Sequence, residues 1–156
     1  MGLPIDFSKL DVQDILDIGV LIEKEAKETY EEFAARMRRA NNAGAASLFA
    51  KLAGWEALHG RRLADRRKQL FGAAPSRYRD VVPWNVETAP AERVSEHMTI
   101  RQAVEIGLET ETMAGDYYSS AMEQLTDASV TDLLAELRDA ELEHKRLLNE
   151  QLAEAG

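Results

Sequence analysis

Glu56-Ala-Leu-His59 and Glu141-Leu-Glu-His144 place a carboxylate and an imidazole three residues apart, twice in one chain of 156 residues. Both pairs fall in segments with the period of a long amphipathic helix. A three-residue step on a helix turns about 300°, so the two side chains of each pair lie on nearly one face, one turn apart. In both pairs that face is the apolar one. The first is shared with Leu48, Leu52, Leu63 and Leu70, the second with Val130, Leu134, Leu137, Leu148 and Leu152. Groups of this kind lose their water in an apolar stripe, and a metal ion is the partner that satisfies both. Two of the three histidines are used this way. The third, His97, precedes a predicted helix and reads as an exposed loop residue.

Four helical segments must position these groups. The first spans residues 9–40, with Ser8 or Asp11 as its cap and Asn41-Asn42 as its stop. The second spans 43–71 and ends at Gly72. Residues 72–98 hold Pro75, Pro83 and Pro90. The third helix opens on Thr99-Ile-Arg-Gln102, which fits a capping box, and runs to about Thr126. Asp127 caps the fourth, which continues to about Ala153. The short first and last connections require two antiparallel hairpins. A helix of about 28 residues is roughly 42 Å long, and extended chain covers that in about 13 residues. The middle link is long enough to run back along the whole molecule. The expected fold is therefore all-α, one domain over 1–156, with hairpins 9–71 and 99–153 joined by a crossover 72–98.

The hairpins repeat one another. Ile18-Gly19-Val20-x-x-Glu23-x-x-Ala26-x-x-x-Tyr30 matches Ile106-Gly107-Leu108-x-x-Glu111-x-x-Ala114-x-x-x-Tyr118. Leu48, Leu52, Glu56, His59 and Arg61 match Leu133, Leu137, Glu141, His144 and Arg146 at the same spacing. A duplicated hairpin accounts for both matches. Glu111 lies near the centre of its helix's apolar arc. On the first helix, Glu23 and Glu25 flank opposite edges of a wide arc. The repeat selects Glu23, because Glu25 aligns with Met113, which faces away from Glu111. Glu23, Glu56, Glu111 and Glu141 each fall near the midpoint of their helix, so four carboxylates and two imidazoles meet at one level. Burying an unpaired carboxylate costs several kcal/mol. Two divalent cations balance four such charges. Oxygen-rich ligation with one imidazole per metal suits iron or manganese better than structural zinc. Glutamates from two helices and Glu-x-x-His from the other two form the di-iron or di-manganese carboxylate pattern. Gly19 and Gly107 permit close helix packing.

Composition narrows the function. A net charge of −9 argues against nucleic acid or an anionic membrane as partner. The absence of cysteine removes disulfides, thiol catalysis, zinc fingers and iron–sulfur clusters. With no apolar leader and no apolar run of spanning length, a cytoplasmic protein is expected. The basic run Arg61, Arg62, Arg66, Arg67, Lys68, Arg77 and Arg79 fits cations complementing a helix C-terminus, or a docking patch for an acidic donor. Val81-Val82 and Trp84 in the crossover are suited to covering the bundle or meeting a second copy.

On Glu23-x-x-Ala-x-x-x-Tyr30, Glu56-x-x-His59, Glu111-x-x-Ala-x-x-x-Tyr118 and Glu141-x-x-His144, the chain resembles the ferritin-like superfamily, and within it the rubrerythrin-like branch. The resemblance covers both hairpins. It implies a ferritin-like four-helix bundle with one crossover between helices two and three, holding two iron ions, with manganese or a mixed pair as the alternative. It implies that Glu56 and Glu141 bridge the metals, that Glu23 and Glu111 are terminal ligands, and that His59 and His144 bind one metal each. All six would then be catalytic, with Tyr30 and Tyr118 orienting carboxylates. The implied function is a di-iron oxidoreductase of peroxidase or ferroxidase type, reducing peroxide or dioxygen in oxidative stress or iron handling. A ferroxidase for iron storage or delivery, and a non-enzymatic metal-binding bundle, are the alternatives. An external electron donor and a homodimer are expected as partners. Two departures stand out: there is no cysteine for a rubredoxin-type site, and Ala114 stands where rubrerythrins carry an extra glutamate.

Overall fold

The computed structural model describes residues 6–78 and 91–155. Four helices carry them: α1 (Val12–Arg39), α2 (Ala43–Phe71), α3 (Ile100–Gln124) and α4 (Ala128–Ala155), with short 3-10 turns at Phe7–Lys9 and Ala91–Arg93. Local chemistry sets their ends. Asp11 caps α1 through a reciprocal box with Asp14, while Ser8 belongs to the preceding 3-10 turn, itself capped by Asp6. Asn41 takes a left-handed φ of 59°, and Asn42 restarts the chain by accepting the Ala45 N–H. Gly72 ends α2 at φ 56°. The Thr99–Gln102 box opens α3. That helix stops at Gln124, two residues earlier than the spacing suggests, because Leu125 is already extended and Asp127 captures the N–H groups of Ser129 and Val130 to start α4.

α1 packs along α2 and α3 along α4, and the hairpins meet chiefly through α2 against α3 and α4. The crossover leaves one end of the first hairpin and returns at the other. At its start the Gln13 side chain donates to the Pro75 carbonyl at 2.9 Å, and the Arg67 guanidinium donates to the Gly72 carbonyl at 2.8 Å. At its finish the Asn42 amide donates to the Met98 carbonyl at 2.9 Å, and Arg36 donates to the Val94 carbonyl at 3.2 Å. Val81, Val82 and Trp84 lie outside the described residues, as does Arg79.

Two apolar clusters fill the bundle. One gathers Tyr30, Phe33, Phe49, Leu52, Met98 and Leu148, the other Ile15, Ile18, Ile22, Leu63, Tyr117 and Leu137. The glycines explain how the helices approach so closely. A Cβ on Gly19 would stand 3.1 Å from Leu63, and one on Gly107 would stand 3.1 Å from Leu52 and 3.2 Å from Leu148. Leu70, placed on the α2 apolar arc by its spacing, is 41% exposed in the last turn. His97 is exposed, as its loop position suggests.

Most of the basic run ties elements together. Arg62 pairs with Glu136 of α4, Arg66 donates to the Ser129 carbonyl, and Arg67 reaches Asp17 at 2.7 Å. Arg77, from the crossover, grips Asp14 through two donors. Burial pushes the Asp14 carboxyl up, but Arg77 and the Asp11 N–H outweigh it and hold the group below its ordinary value. A depressed carboxyl stabilises the fold above its unfolded pKa, and that contribution fades as pH falls through the folded value. Arg77→Ala is therefore expected to lower Tm near neutral pH. The difference from wild type should narrow as a series of thermal melts descends below the ordinary carboxylate range.

Candidate metal centre

Between the two apolar clusters lie six polar side chains, two from each Glu-x-x-His helix and one from each of the others. Glu23, Glu56 and Glu111 are fully buried, Glu141 and His59 nearly so, and His144 is 8% exposed. The α-helical period brings them in. Glu56 and His59 share a face of α2 with Leu52 and Leu63, and Glu141 and His144 share a face of α4 with Leu137 and Leu148. Glu23 is buried with Ile22 and Ala26, whereas Glu25 is only half-buried. The structure thus gathers all six residues singled out by spacing and repeat.

The donor atoms fall into two overlapping four-residue sets, joined by a third group in which Glu141 meets both His59 and His144. Glu23, Glu56, His59 and Glu141 form one, and Glu56, Glu111, Glu141 and His144 the other; within each, ligand atoms lie within 4.8 Å of one another. Glu56 and Glu141 belong to both, and each set has its own imidazole and its own further carboxylate. His59 Nδ1 stands 3.0 Å from Glu141 Oε1 and 3.5 Å from Glu23 Oε1. His144 Nδ1 stands 3.5 Å from Glu111 Oε2 and 3.7 Å from Glu141 Oε2. The His59 and His144 Nδ1 atoms and both carboxylate oxygens of Glu111 and Glu141 are buried without an aligned hydrogen bond. Buried polar atoms are rarely left so. Buried oxygen and nitrogen donors that converge in this way are what a cation requires. The donor chemistry, four carboxylates and two imidazoles, fits a pair of divalent ions of the iron or manganese kind.

Tyrosines frame the cluster unequally. The Tyr118 hydroxyl of α3 donates to Glu23 Oε1 of α1, fixing that carboxylate across the bundle. Tyr30 is buried and stacks on Phe49, with ring centres 6.2 Å apart. Tyr117, not foreseen from spacing, donates to the Ile15 carbonyl at 2.9 Å. Burial, and after it the charge of Glu23, push its hydroxyl far above the ordinary range, so it stays protonated.

Trp55 is the other residue that periodicity does not reveal. Its ring stacks on His144 at 4.0 Å and 12°, and the His144 ring lies 5.0 Å from that of His59. Ala140 occupies the corresponding place in the second hairpin, so the repeat gives no hint of it. Contact with a candidate ligand makes Trp55 a reporter. In a Trp84→Phe background, its fluorescence is expected to fall as ferrous ion is titrated in and to level off at two equivalents. The same titration of His144→Ala should lose most of the response.

Comparison with known proteins agrees with this architecture. The family model for rubrerythrin matches residues 14–152. No curated protein matches the chain. Among solved structures, an uncharacterised conserved protein from Magnetospirillum magnetotacticum superposes with a TM-score of 0.75 at 24% identity, covering 94% of this chain and 97% of its own. A hypothetical protein from Pyrococcus furiosus gives 0.67 at 18% identity, covering 97% and 95%. A candidate ferritin-like diiron-carboxylate protein from Thermotoga maritima gives 0.66 at 21% identity, covering 94% and 97%. These likenesses show a shared four-helix fold, and the family match extends over nearly the whole chain. The chain belongs to the rubrerythrin family.

Proposed function

We propose that this chain is a di-iron carboxylate oxidoreductase that reduces a peroxide, or dioxygen, with electrons from an external donor. The observation that carries the reading is the sharing of Glu56 and Glu141 between two donor sets, each of which adds its own carboxylate and its own imidazole. Such sharing would hold two cations side by side, and paired metals suit a two-electron reaction.

A bound pair of ferrous ions would supply the two electrons that, with two protons, convert a hydroperoxide to an alcohol and water, or hydrogen peroxide to two waters, each iron becoming ferric. The chain's part is to bind, orient and enclose. Glu23, Glu56 and His59 would hold one metal with Glu141, and Glu111 and His144 the other with the same two shared carboxylates. Tyr118 fixes the Glu23 carboxylate, and a phenolic hydroxyl there can hold or pass a proton at Glu23 Oε1. The apolar clusters on either side keep bulk water from the centre.

The test is anaerobic ferrous loading followed by separate challenge with hydrogen peroxide and oxygen, watching ferric absorbance in the near ultraviolet. The expected result is two ferrous ions oxidised per peroxide, faster than free ferrous ion in the same buffer, and recovery on adding a reductant. Oxidation no faster than in buffer would overturn the proposal. Ferric iron accumulating well beyond two per chain would favour the storage reading instead.

A further inference from the structure

The two hairpins repeat in sequence, yet their outer faces differ where they back onto the cluster. In the repeat register Val20, Lys24, Lys27, Ala57, Gly60 and Ala64 correspond to Leu108, Thr112, Gly115, Leu142, Lys145 and Asn149. On the α1/α2 face the small residues leave a groove of about 280 Å³ that ends on Glu23 and Glu56. On the α3/α4 face the equivalent groove, ending on Glu111 and Glu141, is about 140 Å³. There Leu142 takes the place of Ala57, and Lys145 reaches across to the Thr112 hydroxyl at 3.3 Å. The groove beside Glu23 and Glu56 is thus the wider of the two, and the carboxylates of both hairpins are buried beneath their grooves.

We propose that the α1/α2 groove binds the organic part of an alkyl or aryl hydroperoxide, making such compounds the substrate class. This rests on the peroxide-reducing reading above. Three features carry it. First, size: a water takes about 30 Å³ of liquid, so a groove of about 280 Å³ far exceeds what hydrogen peroxide needs. A second cavity of about 490 Å³ adjoins it, sharing Lys27 and Ala57. Second, character: Val20, Ala57, Gly60 and Ala64 give apolar walls, which reward burial of carbon rather than of a small polar oxidant. Third, charge: Lys24, Lys27 and Arg61 line the groove on a chain whose net charge is −9. Lys24 and Arg61, with Lys27 held by Glu31 at 2.8 Å, disfavour the groove as a route for metal ions. Gly60 lets α2 pack closely on α1 here, the Glu23 Cβ lying 3.5 Å from where a side chain would begin.

The test compares cumene hydroperoxide with hydrogen peroxide on ferrous-loaded wild type, Ala57→Leu and Ala64→Leu. Ala57→Leu copies the residue that narrows the opposite groove. Ala64 is exposed, so its variant narrows the groove without burdening the core. Metal content is checked first. The expected result is a fall of about tenfold in the ratio of the cumene hydroperoxide rate to the hydrogen peroxide rate, the scale of one altered pocket contact. A second readout needs no turnover: cumyl alcohol, the product, should bind metal-free wild-type protein in calorimetry and bind each variant more weakly. A ratio unchanged in both variants, or cumyl alcohol bound equally by all three proteins, would overturn the groove assignment while leaving peroxide reduction standing. So would a dimer formed across this face that excludes the alcohol. Failure of wild type with both oxidants would instead sink the reading of the centre itself.

Discussion

Glu141→Gln is expected to reduce bound iron from about two ions per chain to well below one, and Glu56→Gln to do the same, because each carboxylate serves both donor sets. Glu23→Gln and Glu111→Gln should behave differently. Each belongs to a single set, so each variant should retain about one ion per chain. Glutamine preserves the shape of the side chain and removes its charge, which isolates ligation from packing. The measurement is elemental analysis after ferrous loading and desalting, with circular dichroism to verify the helical fold. Full occupancy in Glu141→Gln would show that the shared geometry is not used. One ion lost in all four variants would show that the centre is two independent sites.

The contrast between shared and single ligands was legible in part before any coordinates. Helical phase alone placed Glu56 with His59 and Glu141 with His144, because a three-residue step is a local property of one helix. Phase alone could not choose between Glu23 and Glu25, which flank one wide apolar arc. Comparing the two hairpins resolved it, since Glu25 aligns with an outward-facing Met113. Helix ends were legible where side chains cap their own backbone, as at Thr99–Gln102 and Asp127. What escaped depends on the phase between helices. The stacking of Trp55 on His144 joins α2 to α4, and the Tyr117 bond to Ile15 joins α3 to α1. Neither partner stands near the other in sequence, and neither Trp55 nor Tyr117 has a repeated counterpart, Ala140 and Thr29 standing in their places. The unequal grooves escaped for the same reason. Ala57 against Leu142 reads as an ordinary variation between repeats until both are seen beside the same pair of carboxylates.

Removing the metal should lower stability far more than any surface substitution. Without cations, four carboxylates face one another in a core that excludes water, and burial of such charges opposes folding. The Tyr118 bond and the imidazole contacts offset only part of that cost. An ion that binds the folded chain alone adds about 2.7 kcal/mol at a free concentration about a hundredfold above its Kd. Two ions then add about 5 kcal/mol, which for a chain of this size corresponds to a Tm rise of about 10–20 °C. No helix among the described residues is long and apolar enough to cross a membrane. Differential scanning calorimetry of chelator-treated protein, with and without ferrous or manganous ion, gives the value. The carboxylate variants supply the sign that separates ligation from generic salt effects. Glu141→Gln removes one buried charge, so its metal-free form should melt at or above the wild-type temperature, while its gain on adding metal should nearly vanish. Wild-type protein that melts at the same temperature with and without metal would mean that protons or hydrogen bonds already neutralise the cluster, and the two-cation account would fall.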